Sequence, residues 1–285
     1  MSVDVRTFIQ RAGKLPTPPA IYYELVQAIE NPDTSNEEIV AIIRQDPSLA
    51  SRLLKLANSV FYGVPAKIGV LEEAVQIIGL RQIQDLVLAT SIIKAFNILP
   101  ESLIDVPSFW KHSIACGIAS SLVAELRHDP LPERLFAGGL LHDSGRLILI
   151  LNAAEESQAI LRRCETEGLL AVRAEREAMG WDHAMLGAEF LASWKLPHSL
   201  VEMVRCHHDP SKALLVPQDA FTVHYADFIV SALEFGNSGE FYISPLVVPG
   251  NCDKCLLAEE QIETLVDELE AKTEAAFDIL TETNS

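Results

Sequence analysis

The run GGLLHDSGRLILI, residues 138–150, sets His142 beside Asp143 in a stretch that otherwise reads as buried core. An imidazole next to a carboxylate in apolar surroundings costs free energy unless both are satisfied, and a bound metal satisfies both. Such an ion needs further ligands, and four other segments offer them. In SFWKHSIACGIASSLVAEL, His112 shares a helical face with Ala115, Ala119, Leu122 and Val123, so its ring is expected to point inward. His183 follows Asp182, which reads as a helix N-cap, and opens a face continued by Leu186, Gly187, Phe190 and Trp194. LPHSLVEMVRCHHDP carries His207 and His208 in the final turn of a helix that Pro197 starts and Asp209 with Pro210 stops. Helical neighbours diverge by about 100°, so this pair is expected either to serve two metals or to divide between ligation and hydrogen bonding. In FTVHYADFIVSAL, Asp227 lies on the apolar face of Val223 and Val230, where a carboxylate needs a cation, backbone donors or the nearby His224.

A single histidine on an apolar stripe is more often a satisfied core residue than a ligand. Five imidazoles and two carboxylates, in the order His112, His142-Asp143, His183, His207-His208, Asp227, are hard to obtain from packing alone. Mixed His/Asp donors suit divalent Fe, Mn or Zn better than Mg or Ca, which prefer all-oxygen sites.

These donors must be positioned by helices. Alternating strand patterns are missing, whereas helical spacing with caps recurs throughout, which predicts an all-α fold. Pro18 and Pro19 precede an expected first helix, Ser35 with Glu38 forms a capping-box pattern, and Asp46-Pro47 opens a helix with Leu49, Leu53, Leu56 and Val60 along one side. Gly79 is expected to end a short helix. Asp46 and Asn58 read as cap and turn residues. The Pro-containing, acidic stretch ILPESLIDVPSF, residues 98–109, reads as a joint between two lobes, residues 1–105 and 106–285, the second helix bundle starting at Ser108 as N-cap. The first lobe carries no catalytic cluster and is expected to serve interaction and lobe orientation. A last helix over about 258–281 follows FGNSGEFYISPLVVPGNCDKC, residues 235–255, a long Gly- and Pro-rich connection expected to act as a lid or contact loop, or else to be a disordered excursion.

Across 285 residues the formal net charge is −18, so the average surface repels phosphate backbones and direct nucleic-acid binding is not expected. The N-terminus lacks the apolar core of a signal peptide and no stretch approaches the roughly 18 apolar residues of a membrane span; a cytoplasmic protein without membrane partners is the expectation. Five scattered cysteines fit a reducing compartment, and Cys252 and Cys255 read as free thiols on a loop.

The donor order resembles that of the HD superfamily of metal-dependent phosphohydrolases, and especially its cyclic-dinucleotide-hydrolysing HD-GYP branch. RQDPSLASRLLKLANSVFYG, IGVLEEAVQIIGLRQIQDLVL, FWKHS, GGLLHDSGRL, GWDHAMLGAEFLASWKLP and VRCHHDP, spanning roughly residues 14–235, are together similar to the HDOD family, the HD-related output domains of bacterial signalling. HD-GYP enzymes carry a lysine three residues after the HD aspartate, where this chain has Arg146, and a Gly-Tyr-Pro signature that DPSKALLVP replaces here. Some also carry a glutamate one turn before the first histidine, where this chain has Ser108; one or two metals are therefore implied. HDOD proteins resemble HD enzymes with eroded ligands, yet this chain keeps the full set. The resemblance implies a regulator acting through signalling-protein contacts with a structural or sensory metal site. The alternative is a phosphodiesterase for a nucleotide or cyclic dinucleotide, in which Asp143 bridges the metals and Arg146 steadies the phosphate. A metal-free helical scaffold is the third reading.

Overall fold

The computed structural model describes residues 4–60, 62–64, 67–96, 99, 103–248 and 256–282, and among them the regular structure is entirely helical. A helix precedes the one expected after the two prolines: Asp4 accepts from the N–H groups of Arg6 and Thr7 and caps α1, Val5–Arg11.

One compact unit comprises Pro16–Ala95 together with the chain from Val266 onward. It holds α2 (Ala20–Glu30), α3 (Asn36–Ile43), α4 (Pro47–Ala57), α5 (Leu71–Ile78) and α6 (Leu80–Ala95). Its boundaries follow the caps in the sequence. Ser35 and Glu38 form a reciprocal capping box on α3, Asp46 caps α4 with Pro47 in the first turn, and Gly79, at φ +83°, separates α5 from α6. Leu49, Leu53 and Leu56 are buried as expected, but Val60 is 61% exposed because α4 ends at Ala57 and the stripe ends with it. Asn58 makes the turn after α4: its amide donates to the carbonyls of Leu54 and Ile68 and accepts from the Ile68 N–H.

The second unit comprises Met1–Leu15 and Phe96–Leu265. The units therefore divide the chain differently from a single break after residue 105. The first residues group with the second unit because α1 finds an apolar partner there, Phe8 packing on Trp181 with ring centroids 5.0 Å apart. This unit contains α7 (Val106–Leu126), α8 (Phe136–Leu141), α9 (Ser144–Asn152), α10 (Ala154–Glu167), α11 (Ala171–Met179), α12 (His183–Ser193), α13 (His198–Cys206) and α14 (Pro217–Ala232). The last helix, α15, runs from Glu259 to Thr281, near the expected bounds. The cap of α7 is Asp105, whose carboxylate accepts from the Ser108 N–H at 3.0 Å; Ser108 lies inside the helix rather than before it. Helix α7 is buried on nearly all sides and packs against α8 and α14, while α12 packs on α9 and α13. No described helix is long and apolar enough to cross a membrane.

Candidate metal centre

His142 and Asp143 sit where the chain leaves one helix and enters the next, after α8 ends at Leu141 and before α9 begins at Ser144. Two glycines permit this break to press against its neighbours. A Cβ on Gly139 would lie 2.3 Å from the Cys116 carbonyl oxygen of α7, and one on Gly145 would lie 1.9 Å from the His183 carbonyl oxygen of α12. Only glycine allows such backbone approach, and it brings the His142-Asp143 pair to His112 on one side and His183 on the other.

All seven sequence-predicted donors come together, in two adjoining groups. Asp227 of α14, His112 of α7 and His142 form the first with Cys116; Asp143, His183, His207 and His208 form the second. Within each group one donor atom per residue lies within 4.8 Å of the others. His112 Nε2 is 3.2 Å and His142 Nε2 3.8 Å from Asp227 Oδ1. Asp143 joins the groups: Oδ2 is 3.3 Å from His142 Nε2, and Oδ1 is 3.0 Å from His183 Nε2 and 3.7 Å from His207 Nε2. His207 and His208 both enter the second group, their ring centroids 4.0 Å apart. The helical 100° divergence does not separate them because α13 ends at Cys206, leaving His207 as its C-cap and His208 in the following turn.

The outer ring nitrogens fix the tautomers. His142 Nδ1 lies 2.6 Å from the Gly139 carbonyl and His207 Nδ1 2.7 Å from the Val204 carbonyl. A carbonyl only accepts, so each Nδ1 carries hydrogen, and it is Nε2, with its lone pair when the ring is neutral, that points inward. Both of those Nε2 atoms are buried with no hydrogen-bond partner. Glu175, 3% exposed, accepts from the backbone N–H of His183 at 2.8 Å and holds its Nδ1 at 2.6 Å. His183 Nε2 in turn lies 2.7 Å from His208 Nε2. Inward ring nitrogens facing carboxylate oxygens and one another in a largely buried cluster suit a divalent cation. The donor chemistry fits the expected group. Asp227 pairs with His112 and accepts from Ser231, whereas His224 faces away and its Nε2 accepts from the Val247 N–H.

Without a cation, protons must do the compensating. Burial opposes charging His142, but Asp143 and Asp227 outweigh it and raise its pKa to about 9. Burial likewise opposes charging His183, and Glu175 and Asp143 raise it to about 10. Burial and the charge on His142 drive His207 down to about 3. The raised pair stabilises the metal-free fold fully below the ordinary histidine range, and that contribution is lost as pH rises through about 9 to 10. Metal must displace those protons, so affinity is expected to climb steadily between pH 7 and pH 9. Chelator-competition titrations with Zn²⁺ at pH 7, 8 and 9 measure this, and an affinity flat across that range would contradict it.

Arg146 is buried, 5% exposed; its Nε donates to Asp143 Oδ1 at 3.3 Å and its Nη2 donates to Glu240. Glu240 belongs to residues 235–248, the described part of the connection expected as a lid or contact loop. This part is an irregular strap laid on the centre: the Asn237 N–H donates to the Ser108 carbonyl, Ser244 Oγ is 3.5 Å from His208 Nδ1, and the Val247 N–H reaches His224. Beside it a cavity of about 530 Å³ is lined by Ser108, His112, Ser231, Glu240 and Tyr242. Cys252 and Cys255 lie outside the described residues.

Sequence reasoning overlooked Cys116, Glu175 and Glu240. The first had a signal, four residues after His112 on the same helical face. Glu175 sits in the charged segment AVRAEREAM, which reads as a solvated face, and Glu240 in an aperiodic loop.

A curated relative, an uncharacterized protein of Treponema pallidum (strain Nichols), is 29% identical over 201 residues, which is 70% of this chain and 38% of the relative; the chain thus spans well under half that relative's length. The fold is shared with an HDOD domain protein of unknown function from Geobacter sulfurreducens (TM-score 0.75, 23% identity, 97% of this chain and 96% of that one). It is shared equally with a protein of Shewanella amazonensis SB2B named "Putative phosphohydrolase" (TM-score 0.77, 23% identity, 96% and 97%). The HDOD domain model matches residues 15–210, well over half of the sequence and every metal-donor candidate except Asp227. On that match this chain belongs to the HDOD domain family.

Proposed function

We propose that this HDOD protein is a signalling regulator that acts through contacts with other signalling proteins and keeps an HD-type metal centre in a structural or sensory role. The centre would hold one or two divalent ions, Fe, Mn or Zn, on His112, His142, Asp143, His183, His207, His208 and Asp227. When bound, such an ion cancels buried carboxylate charge and cross-links five helical segments of one unit. The observation that carries the regulatory reading is the state of Arg146. In a phosphoesterase this side chain must reach a substrate phosphate, yet here it is buried and its guanidinium is taken by Asp143 and by Glu240 of the strap. On this reading a carboxylate of the chain itself satisfies the guanidinium that a substrate phosphate would otherwise engage.

One observation favours the second reading, a phosphodiesterase acting on a nucleotide or cyclic dinucleotide: the cavity at His112 falls within the size range of small-molecule sites. Elemental analysis of protein purified without chelators, beside a His142→Ala, Asp143→Ala variant, tests the centre. Stoichiometric metal in the parent and none in the variant is the expected result. A panel of phosphodiesters and cyclic dinucleotides is expected to give no turnover, whereas turnover lost in the variant would establish the enzyme. Glu240→Ala removes the competing carboxylate and is expected to tighten inorganic phosphate binding about tenfold, the worth of one charge-assisted hydrogen bond. Calorimetric titration with phosphate measures it, and an unchanged affinity would mean that Glu240 does not block Arg146.

A further inference from the structure

We infer that Cys116 is a metal ligand, its thiolate joining His112, His142 and Asp227 in a sulfur-containing site chemically distinct from the all-histidine-and-carboxylate set around Asp143. The inference rests on the metal-centre reading above and adds a donor which that reading lacks. Cys116 and His112 are four residues apart on α7, so they share one face of the helix. The thiol is fully buried, and its Sγ lies 3.5 Å from His112 Nε2 and 4.0 Å from Asp227 Oδ1.

Two of the four spacings within this group match tetrahedral edges, and two are longer. With Zn–S near 2.3 Å and Zn–N or Zn–O near 2.0 to 2.1 Å, the sulfur–nitrogen edge is about 3.5 Å and the nitrogen–oxygen edge about 3.3 Å. The observed edges are 3.5 Å for Cys116–His112 and 3.2 Å for His112–Asp227. The two longer ones, 4.0 Å for Cys116–Asp227 and 3.8 Å for His142–Asp227, exceed ideal edges by about half an ångström. A separate observation points the same way: the Nε2 of His142, 1% exposed, faces this group with no hydrogen-bond partner. Charge balances as well, since one thiolate and one carboxylate neutralise one divalent cation. A cysteine acting only as a small core residue would have carbon neighbours, and this one has donor atoms.

A thiolate selects borderline-soft ions. The site is therefore assigned to Zn²⁺, or to Co²⁺ as its spectroscopic substitute, over Mn²⁺ or Mg²⁺. Full-length protein depleted of metal and titrated with Co²⁺ is expected to develop a thiolate-to-cobalt charge-transfer band in the near ultraviolet. Cys116→Ser should abolish that band, keep cobalt bound at the Asp143 set, and weaken the first Zn²⁺ equivalent by at least about tenfold. Cys164→Ser should leave the band intact. X-ray absorption at the zinc edge needs no variant and should show a sulfur neighbour near 2.3 Å in the parent protein. Failure to bind Co²⁺ at all would sink the metal centre itself. Cobalt bound without the band, a band surviving Cys116→Ser, or a zinc shell without sulfur would overturn Cys116 alone.

Discussion

Asp143→Ala is expected to lose the metal held by the Asp143, His183, His207 and His208 group and to be less stable by about 3 to 5 kcal/mol, the cost of removing one partner from a buried charge cluster. Asp143 is 2% exposed, and its two oxygens face His142, His183, His207 and Arg146. Burial alone would raise its pKa, but His142, Arg146 and His183 hold it well below the usual carboxylate range. Deleting the carboxylate leaves those cations, all buried, facing one another without their shared counter-charge. The direction with pH follows. A depressed carboxylate contributes above its ordinary range and loses that contribution as pH falls through the lower folded value, whereas the raised histidines lose theirs as pH climbs through about 9 to 10. The difference between parent and variant should therefore be widest from about pH 5 to pH 8. Urea unfolding of both proteins with chelator present, at pH 5, 7 and 10, measures the electrostatic part separately from metal. A deficit under about 1 kcal/mol at pH 7 would show that the cluster is not charged as described.

Gly145→Ala is the second large effect. The added methyl would stand 1.9 Å from the His183 carbonyl oxygen and 2.6 Å from the Gly187 nitrogen, backbone atoms on both counts. No rotamer change relieves such a clash. Helices α9 and α12 must separate, and that contact sets the 3.0 Å spacing between Asp143 and His183. Overpacking of this kind costs about 1 to 3 kcal/mol or more, and metal affinity should fall with it. Gly69→Ala is the control, since nothing lies within 4 Å of its Cβ position, and it should stay within about 0.5 kcal/mol of the parent. Thermal melts and zinc titration of the two variants decide the point. Equal behaviour would mean that α9 and α12 are free to shift.

Much of the centre was legible because its donors break local patterns. A charged pair inside GGLLHDSGRLILI, or a histidine on the alanine and leucine face of α7, conflicts with its neighbours, and each such conflict is visible within one helical turn. Caps were legible for the same reason: Ser35, Asp46 and Asp182 act on N–H groups two or three residues away. Where the reading slipped, a local rule met a competitor of equal rank. Ser108 and Asp105 are both competent caps, and Asp105 prevails by accepting from the Ser108 N–H itself. His207 and His208 looked like helix residues, and the helix ends one residue too soon for that geometry.

The residue types along the chain determined by themselves that it is helical, that seven donors are available, and in what order they occur. The folded arrangement alone decided that Asp143 joins two groups, that Cys116 adds to one of them, that Glu175 holds His183, and that Glu240 covers Arg146 from 94 residues away. Periodicity and capping act over a few residues and mark which side chains turn inward. Which inward side chains then meet depends on how closely the helices approach, and here glycines at 139 and 145, whose neighbours are backbone atoms of distant segments, set that approach.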